Sequence, residues 1–334
     1  MLNALKHFRF LLNPKVILPV LLTAALLVFA FSLGDVGKVA GRVTKLPLHV
    51  LWLALAAAAC YLTFKAIQLR LMLNQINLAI PARPFFLAFA MGELTVTLPL
   101  GLFSQNWVLS ASRRINVGRS SAATVMMLLA EIATVFLFLA VLGIPGWPDF
   151  RWIAVGALAV LAMLLSVAVL FGHKAHPHLS RLPYDWMKTG AGTGLEMLRG
   201  LRKLTTPLML AMSVAMAAIY LGALTVAFWL VSRGMAVHHL HYLTAATIYL
   251  FSLAMVLIGA GLVSQIGTVE VLGMLAARAS GIDYTDGLAM MLGFRIVWTG
   301  AVWLLCLPIV GTLWRTIPRH RHGKSGDGSE ESSD

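Results

Sequence analysis

Six stretches of the chain carry apolar residues at nearly every position. They are Val16–Leu33, Leu48–Phe64, Thr124–Leu142, Trp152–Phe171, Pro207–Val231 and Leu288–Leu313. Each approaches or exceeds the ~18–20 apolar residues that cross a bilayer as a helix. The polar positions between them are mostly basic. Two further stretches, Phe85–Val117 and His241–Ser280, are apolar but interrupted by Gly, Pro and Gln. The pattern predicts an all-α polytopic membrane protein, with a retained first span in place of a cleaved leader.

Composition agrees: 59% of the 334 residues are hydrophobic and 12% are charged. A soluble domain carries about a quarter charged residues. The cysteines, Cys60 and Cys306, fall inside predicted spans, so no disulfide framework is implied.

Charge sets the expected orientation. Lys and Arg total 26 against 13 acids. The basic residues cluster before the first span (Lys6, Arg9, Lys15) and after the second (Lys65, Arg70, Arg83). They cluster again at Arg113, Arg114 and Arg119, through the central loop, and after the last span. Cytoplasmic loops hold such an excess. Placing all five clusters inside requires Phe85–Val117 to enter from the cytoplasm and return. By the same reasoning His241–Ser280 enters and leaves from outside. The expectation is about six full spans and two re-entrant helical hairpins, with both termini cytoplasmic in an inner membrane. High pI needs no nucleic-acid partner once this rule is applied.

The interrupted stretches share a pentapeptide, GLFSQ at 101–105 and GLVSQ at 261–265. Backbone that leaves a helix at membrane depth must be buried in protein or line a wet cavity. Pro99 and Gly101 in the first copy, and Gly261 and Gly267 in the second, are the expected turning points. Ser104, Gln105, Ser264 and Gln265 can bond the freed backbone groups or a ligand. A second match follows: VMMLLAEI (125–132) resembles AMMLGFRI (289–296). The chain therefore reads as an inverted repeat with halves at about 15–142 and 151–314. Such repeats place a binding site near the midplane, between broken helices. The expected domain is a single membrane unit over 1–314, followed by a disordered cytoplasmic tail over 315–334.

Inside the repeat, Glu131 of the first copy stands where the second has Arg295, 164 positions later. A charge at bilayer depth costs about 2.5–3.5 kcal/mol on insertion scales, so it pairs or faces a polar cavity. Glu131 and Arg295 form a site where the halves meet, neutralise each other structurally, or each take a separate partner. Glu93 and Glu270 are further intramembrane acids. Glu270 is placed to accept from freed helix-end N–H groups or to carry a proton.

The segment GAGLVSQIGTVEVLGMLAARASGIDYTDGLAMMLGFRIVWTGAVWL resembles the C-terminal signature of the lysylphosphatidylglycerol synthase transmembrane region, a flippase-like family. Gly267, Glu270, Gly281 and Arg295 match it, as do Pro99 and Glu131 in the first half. After that proline the chain reads PLGLFSQNWVLSASRR in place of the family's Gly-Glu-x-x-Arg. The resemblance covers about residues 15–314. It implies a protein that moves a lipid between leaflets. The chain's end, about 20 residues past the last span, leaves no expected room for an aminoacyl-transferring domain.

Substrate-binding candidates are therefore Arg295, Glu131, Glu270, Gln265, Gln105, Arg113 and Arg114, with anionic membrane lipids as partners. Lipid-synthesis enzymes are further candidate partners. The alternatives are a membrane-embedded enzyme, using Glu93, Glu131 and Glu270 as acid/base groups, or a non-catalytic partner in lipid synthesis. The histidine groups at 173–178 and 238–241 lack Cys, Asp or Glu at ligand spacing, so neither a metal nor another cofactor is expected. GLEMLRGLRKL (194–204) spaces Leu195, Leu198, Leu201 and Leu204 on one face, as in a helix lying on an anionic leaflet.

Overall fold

The computed structural model describes residues 35–98, 101–113, 115–143, 149–171, 185–235, 237, 240–258 and 265–313, with Val28 and Ser32. The expected first span, Pro99, Arg114, most of the second pentapeptide, most of the candidate histidines and the tail lie outside these residues. Among the described residues every regular element is helical. In chain order they are α1 (Val36–Val43), α2 (Leu48–Gln75), α3 (Ala82–Thr95), α4 (Ser104–Arg113), α5 (Val117–Leu142) and α6 (Phe150–Phe171). Then follow α7 (Asp185–Leu204), α8 (Pro207–Gly234), α9 (Tyr242–Ile258), α10 (Gln265–Ala279) and α11 (Tyr284–Leu313). A 3-10 turn, Gly101–Phe103, leads into α4.

Four of these, α2, α5, α8 and α11, are long and apolar enough to cross a membrane. At 1.5 Å per residue they run about 39–45 Å, against a hydrocarbon core of about 30 Å. Local chemistry fixes their ends. The side chain of Asn116 accepts from the N–H groups of Gly118 and Arg119 to cap α5. Thr206 caps α8, with Pro207 in the first helical position. Beyond α2, Asn77 takes a left-handed backbone (φ 58°), and Gly281 does so beyond α10 (φ 83°).

α8 packs along α2 at the centre. α5 packs on α8 and α9, while α11 packs on α2 and α3. α3 folds against α4, and α9 against α10. One apolar cluster runs through these helices from Val50 to Cys306.

Two sequence expectations are corrected here. Lys65 does not belong to a loop after the second span. α2 continues through it to Gln75, and Lys65 is 2% exposed. It therefore leaves the basic cluster that was placed at the membrane surface. The amphipathic segment 194–204 does not turn its leucines to lipid. Leu195, Leu201 and Leu204 of α7 are buried, and α7 packs along α5. Small residues permit the approach: a Cβ on Gly118 would stand 2.2 Å from the Thr193 carbonyl oxygen, and one on Gly200 would stand 2.6 Å from Ala122 Cβ. Arg119, at the start of α5, donates to the carbonyl of Ile76 at the end of α2.

Candidate functional site

The break between α3 and α4 is built on one hydroxyl. Thr95 Oγ1 lies 2.8 Å from the Met91 carbonyl, 2.9 Å from the Gly101 carbonyl and 2.7 Å from Ser104 Oγ. Gly101 is the residue this turn admits: an added Cβ would stand 1.6 Å from the Thr95 carbonyl oxygen. Gln105, buried, donates to Thr124 Oγ1 of α5 at 2.9 Å. Asn106 exchanges hydrogen bonds with the same hydroxyl. The side-chain amide oxygen of Gln105, Oε1, has no partner among the described residues.

A cavity of about 80 Å³ opens beside this break. A single water needs roughly 10–15 Å³ by the same measure, so several fit. Val96 and Thr97, just past the end of α3, line it, as does Leu257 near the end of α9. The side chains that give it charge come from α2 (Lys65), α3 (Glu93), α5 (Glu131) and α11 (Arg295).

Lys65 is the hub. Its Nζ lies 3.1 Å from Glu93 Oε1 and 3.3 Å from Glu131 Oε1. It donates to the Tyr61 hydroxyl at 2.6 Å and sits 4.8 Å from that ring's centre. Tyr220 of α8 donates to Glu131 at 3.0 Å and meets Tyr61 edge to face at 5.4 Å. Glu131 thus receives two donors from separate helices, whereas Glu93 depends on Lys65.

Arg295 has its own carboxylate. Its Nε donates to Glu270 Oε1 at 2.7 Å. The other Glu270 oxygen accepts the Gly267 N–H at 2.6 Å, close to the start of α10. Gly267 is left-handed there (φ 87°), so Glu270 fixes the helix entrance and the guanidinium together. The Arg295 side chain is 22% exposed, while that of Lys65 is 2%. Of the two cations that line the cavity, Arg295 is the more exposed.

Glu131 and Arg295 therefore line one cavity, but the ion pairs that form are Lys65–Glu131 and Arg295–Glu270. Glu131 and Arg295 thus take separate partners, each on another helix, and do not pair with each other. Gln105 is packed in the α4–α5 contact and is not among the cavity residues. The side chains of Gln265 and Arg113 fall outside the described residues. The backbone of Arg113 ends α4. Among the described residues no group of His, Cys, Asp and Glu has the spacing to hold a metal.

Sequence reasoning missed Lys65, Tyr61 and Tyr220. A signal was present. Ala54, Ala58, Tyr61, Lys65 and Met72 recur at intervals of three, four and seven, on the buried side of α2. Arg70 is exposed. Lys65 shares a face with small and aromatic residues, and the phase of that face places it inside.

Long apolar helices enclosing a paired-charge cavity define an integral membrane protein with a polar site within the helical bundle. The chain belongs to the family described as the lysylphosphatidylglycerol synthase TM region, whose model matches residues 16–306. Neither the curated proteins nor the solved structures yield a match.

Proposed function

We propose that this chain carries an anionic phospho- or glycolipid between the leaflets of an inner membrane, with the headgroup passing through the charged cavity and the tails left in the bilayer. The observation that carries this reading is Arg295. It is held in place by Glu270, lines the cavity, and its side chain is 22% exposed. A headgroup phosphate is attracted by charge to this positioned guanidinium. Two cations and three carboxylates, each costing about 2.5–3.5 kcal/mol at bilayer depth if unpaired, are a large burden for a merely structural seam.

The path requires the two breaks to turn within the membrane. α3 and α4 are 14 and 10 residues, or about 21 and 15 Å; α9 and α10 are about 26 and 23 Å. Each falls short of the ~30 Å core, which favours two re-entrant hairpins beside six spans. Contacts support the inverted repeat. Exchanging α2 with α8, α3 with α9, α4 with α10 and α5 with α11 maps the packing of α5 on α9 onto that of α11 on α3. It likewise maps α5 on α8 onto α11 on α2. Tyr61 and Tyr220 become equivalents and meet at the centre. Under this reading the unit spans residues 1–314, with the remaining tail and both termini cytoplasmic. Arg113, whose backbone ends α4, then stands at the inner mouth of the first hairpin.

The test is leaflet exchange of labelled phosphatidylglycerol in liposomes containing the purified chain. Exchange above the protein-free rate is expected, with at least about tenfold loss in Arg295→Gln. Exchange equal to the protein-free rate at confirmed insertion would refute translocation. Chemical conversion of the labelled lipid would point to the enzyme reading.

A further inference from the structure

A second concavity, of about 410 Å³, lies between α2, α3 and α11. α2 contributes Ala59, Leu62, Thr63, Ala66, Ile67 and Arg70, one face of the helix about 16 Å long. Phe85, Phe86 and Phe89 form the α3 wall, and Leu305, Cys306 and Ile309 the α11 wall. Thr63, Ile67 and Phe86 are exposed, so the groove opens to the surroundings of the bundle. α2 and α3 barely touch each other and are bridged by α11. The walls are apolar, and the charge among the lining residues is Arg70.

Arg70 stands at one end of this groove. It lies about 33 Å along a helix that begins at Leu48, beyond the ~30 Å of a hydrocarbon core. Its guanidinium is held 5.5 Å from the ring centre of buried Phe85. It is exposed and makes no ion pair among the described residues. The groove adjoins the charged cavity. Ala66 follows Lys65, Glu93 is one turn beyond Phe89, and Leu305 and Cys306 follow the cavity residues Val302 and Trp303. An apolar trough ended by one unneutralised cation at headgroup depth has the shape and charge of a lipid anion.

We infer that the groove between α2, α3 and α11 binds one acyl chain of an anionic glycerophospholipid, with its phosphate on Arg70. As a lipid site it stands alone. As the waiting position from which a headgroup reaches the charged cavity, it rests on the translocation reading.

Native mass spectrometry of the purified chain in nonionic detergent tests it, with phosphatidylglycerol and phosphatidylcholine titrated separately. The expected result is retention of phosphatidylglycerol about tenfold better than phosphatidylcholine. Arg70→Gln should abolish that preference. Thr63→Trp, which fills the trough from its open side, should lose both lipids. Arg233→Gln, which removes another exposed cation held over an aromatic ring, should change neither. Preference surviving Arg70→Gln, or falling equally in Arg233→Gln, would overturn the site. So would displacement of the lipid by excess glycerol phosphate, which would make it a bare anion site. A dimer whose fraction falls in Thr63→Trp, with lipid retention unchanged, would assign the groove to a second copy. Leaflet exchange separates the two readings. Arg70-dependent retention without exchange leaves the groove standing and removes translocation. Exchange with no Arg70-dependent retention does the reverse.

Discussion

Replacing Lys65 with Met removes one cation from two buried carboxylates while keeping the length of the side chain. Glu93 Oε1 at 3.1 Å and Glu131 Oε1 at 3.3 Å each gain about 5 kcal/mol of gross attraction from Nζ at an effective dielectric of about 20. The desolvation of Lys65 itself, recovered on removal, offsets much of this. Mutual repulsion of the two carboxylates then goes unscreened. Breaking one buried pair costs about 3–5 kcal/mol in practice. Glu131 keeps the Tyr220 hydroxyl, so the larger share falls on Glu93. With about 2.1 cal/mol/K of unfolding entropy per residue, a loss of that size over this chain lowers Tm by about 4–7 °C. Thermal unfolding in detergent, followed by intrinsic fluorescence, reads this directly. Lys65→Met/Glu93→Gln should recover part of the loss, because one orphaned charge is gone. Arg70→Met, on the exposed face of the same helix, should move Tm by no more than about 1 °C. A Tm for Lys65→Met within 1 °C of wild type would refute the hub. So would a double variant no better than the single.

Four other outcomes are expected. Arg295→Gln and Glu270→Gln should show strong coupling in a double-mutant cycle, about 1.5–3 kcal/mol, while Glu131→Gln with Arg295→Gln should couple more weakly, because each has its own partner. Gly101→Ala should prevent normal folding or cost more than about 3 kcal/mol, while Gly222→Ala, whose added Cβ meets nothing within 4 Å, should be neutral or gain up to about 1 kcal/mol; yield and Tm decide both. Single cysteines at Gln75 and Ala111, in a background lacking Cys60 and Cys306, should be labelled from the same side, and one at Asp283 from the other; opposite labelling of Gln75 and Ala111 would refute the first re-entrant hairpin. Gly200→Leu should release α7 from α5, seen as faster protease cutting within α7, because an added Cβ alone would stand 2.6 Å from Ala122 Cβ.

The class of protein was legible without the fold. Apolar runs of bilayer length leave a chain one stable option, the helix, since no water reaches its backbone groups. The interruption between α3 and α4 was legible too, because Pro and Gly at 99 and 101 stand in a run that is otherwise apolar. So was the presence of charge at depth, since Glu93, Glu131, Glu270 and Arg295 sit in apolar surroundings whatever packs around them. Their partners were not. Pairing depends on which helix faces which, and a linear sequence fixes only the spacing along one helix. Glu131 and Arg295 occupy matching positions, yet each met a nearer opposite charge: Lys65 across α2 and α5, Glu270 across α10 and α11. Lys65 shows the limit most sharply. In sequence it is a basic residue near Arg70, at the point where hydropathy falls, and a surface position is the natural assignment. Only the placing of α3, α5 and α8 around it brings two carboxylates and the Tyr220 ring to Lys65, while Tyr61 comes from one turn earlier on α2 itself. Five residues on, Arg70 lies on the open face and makes no ion pair among the described residues.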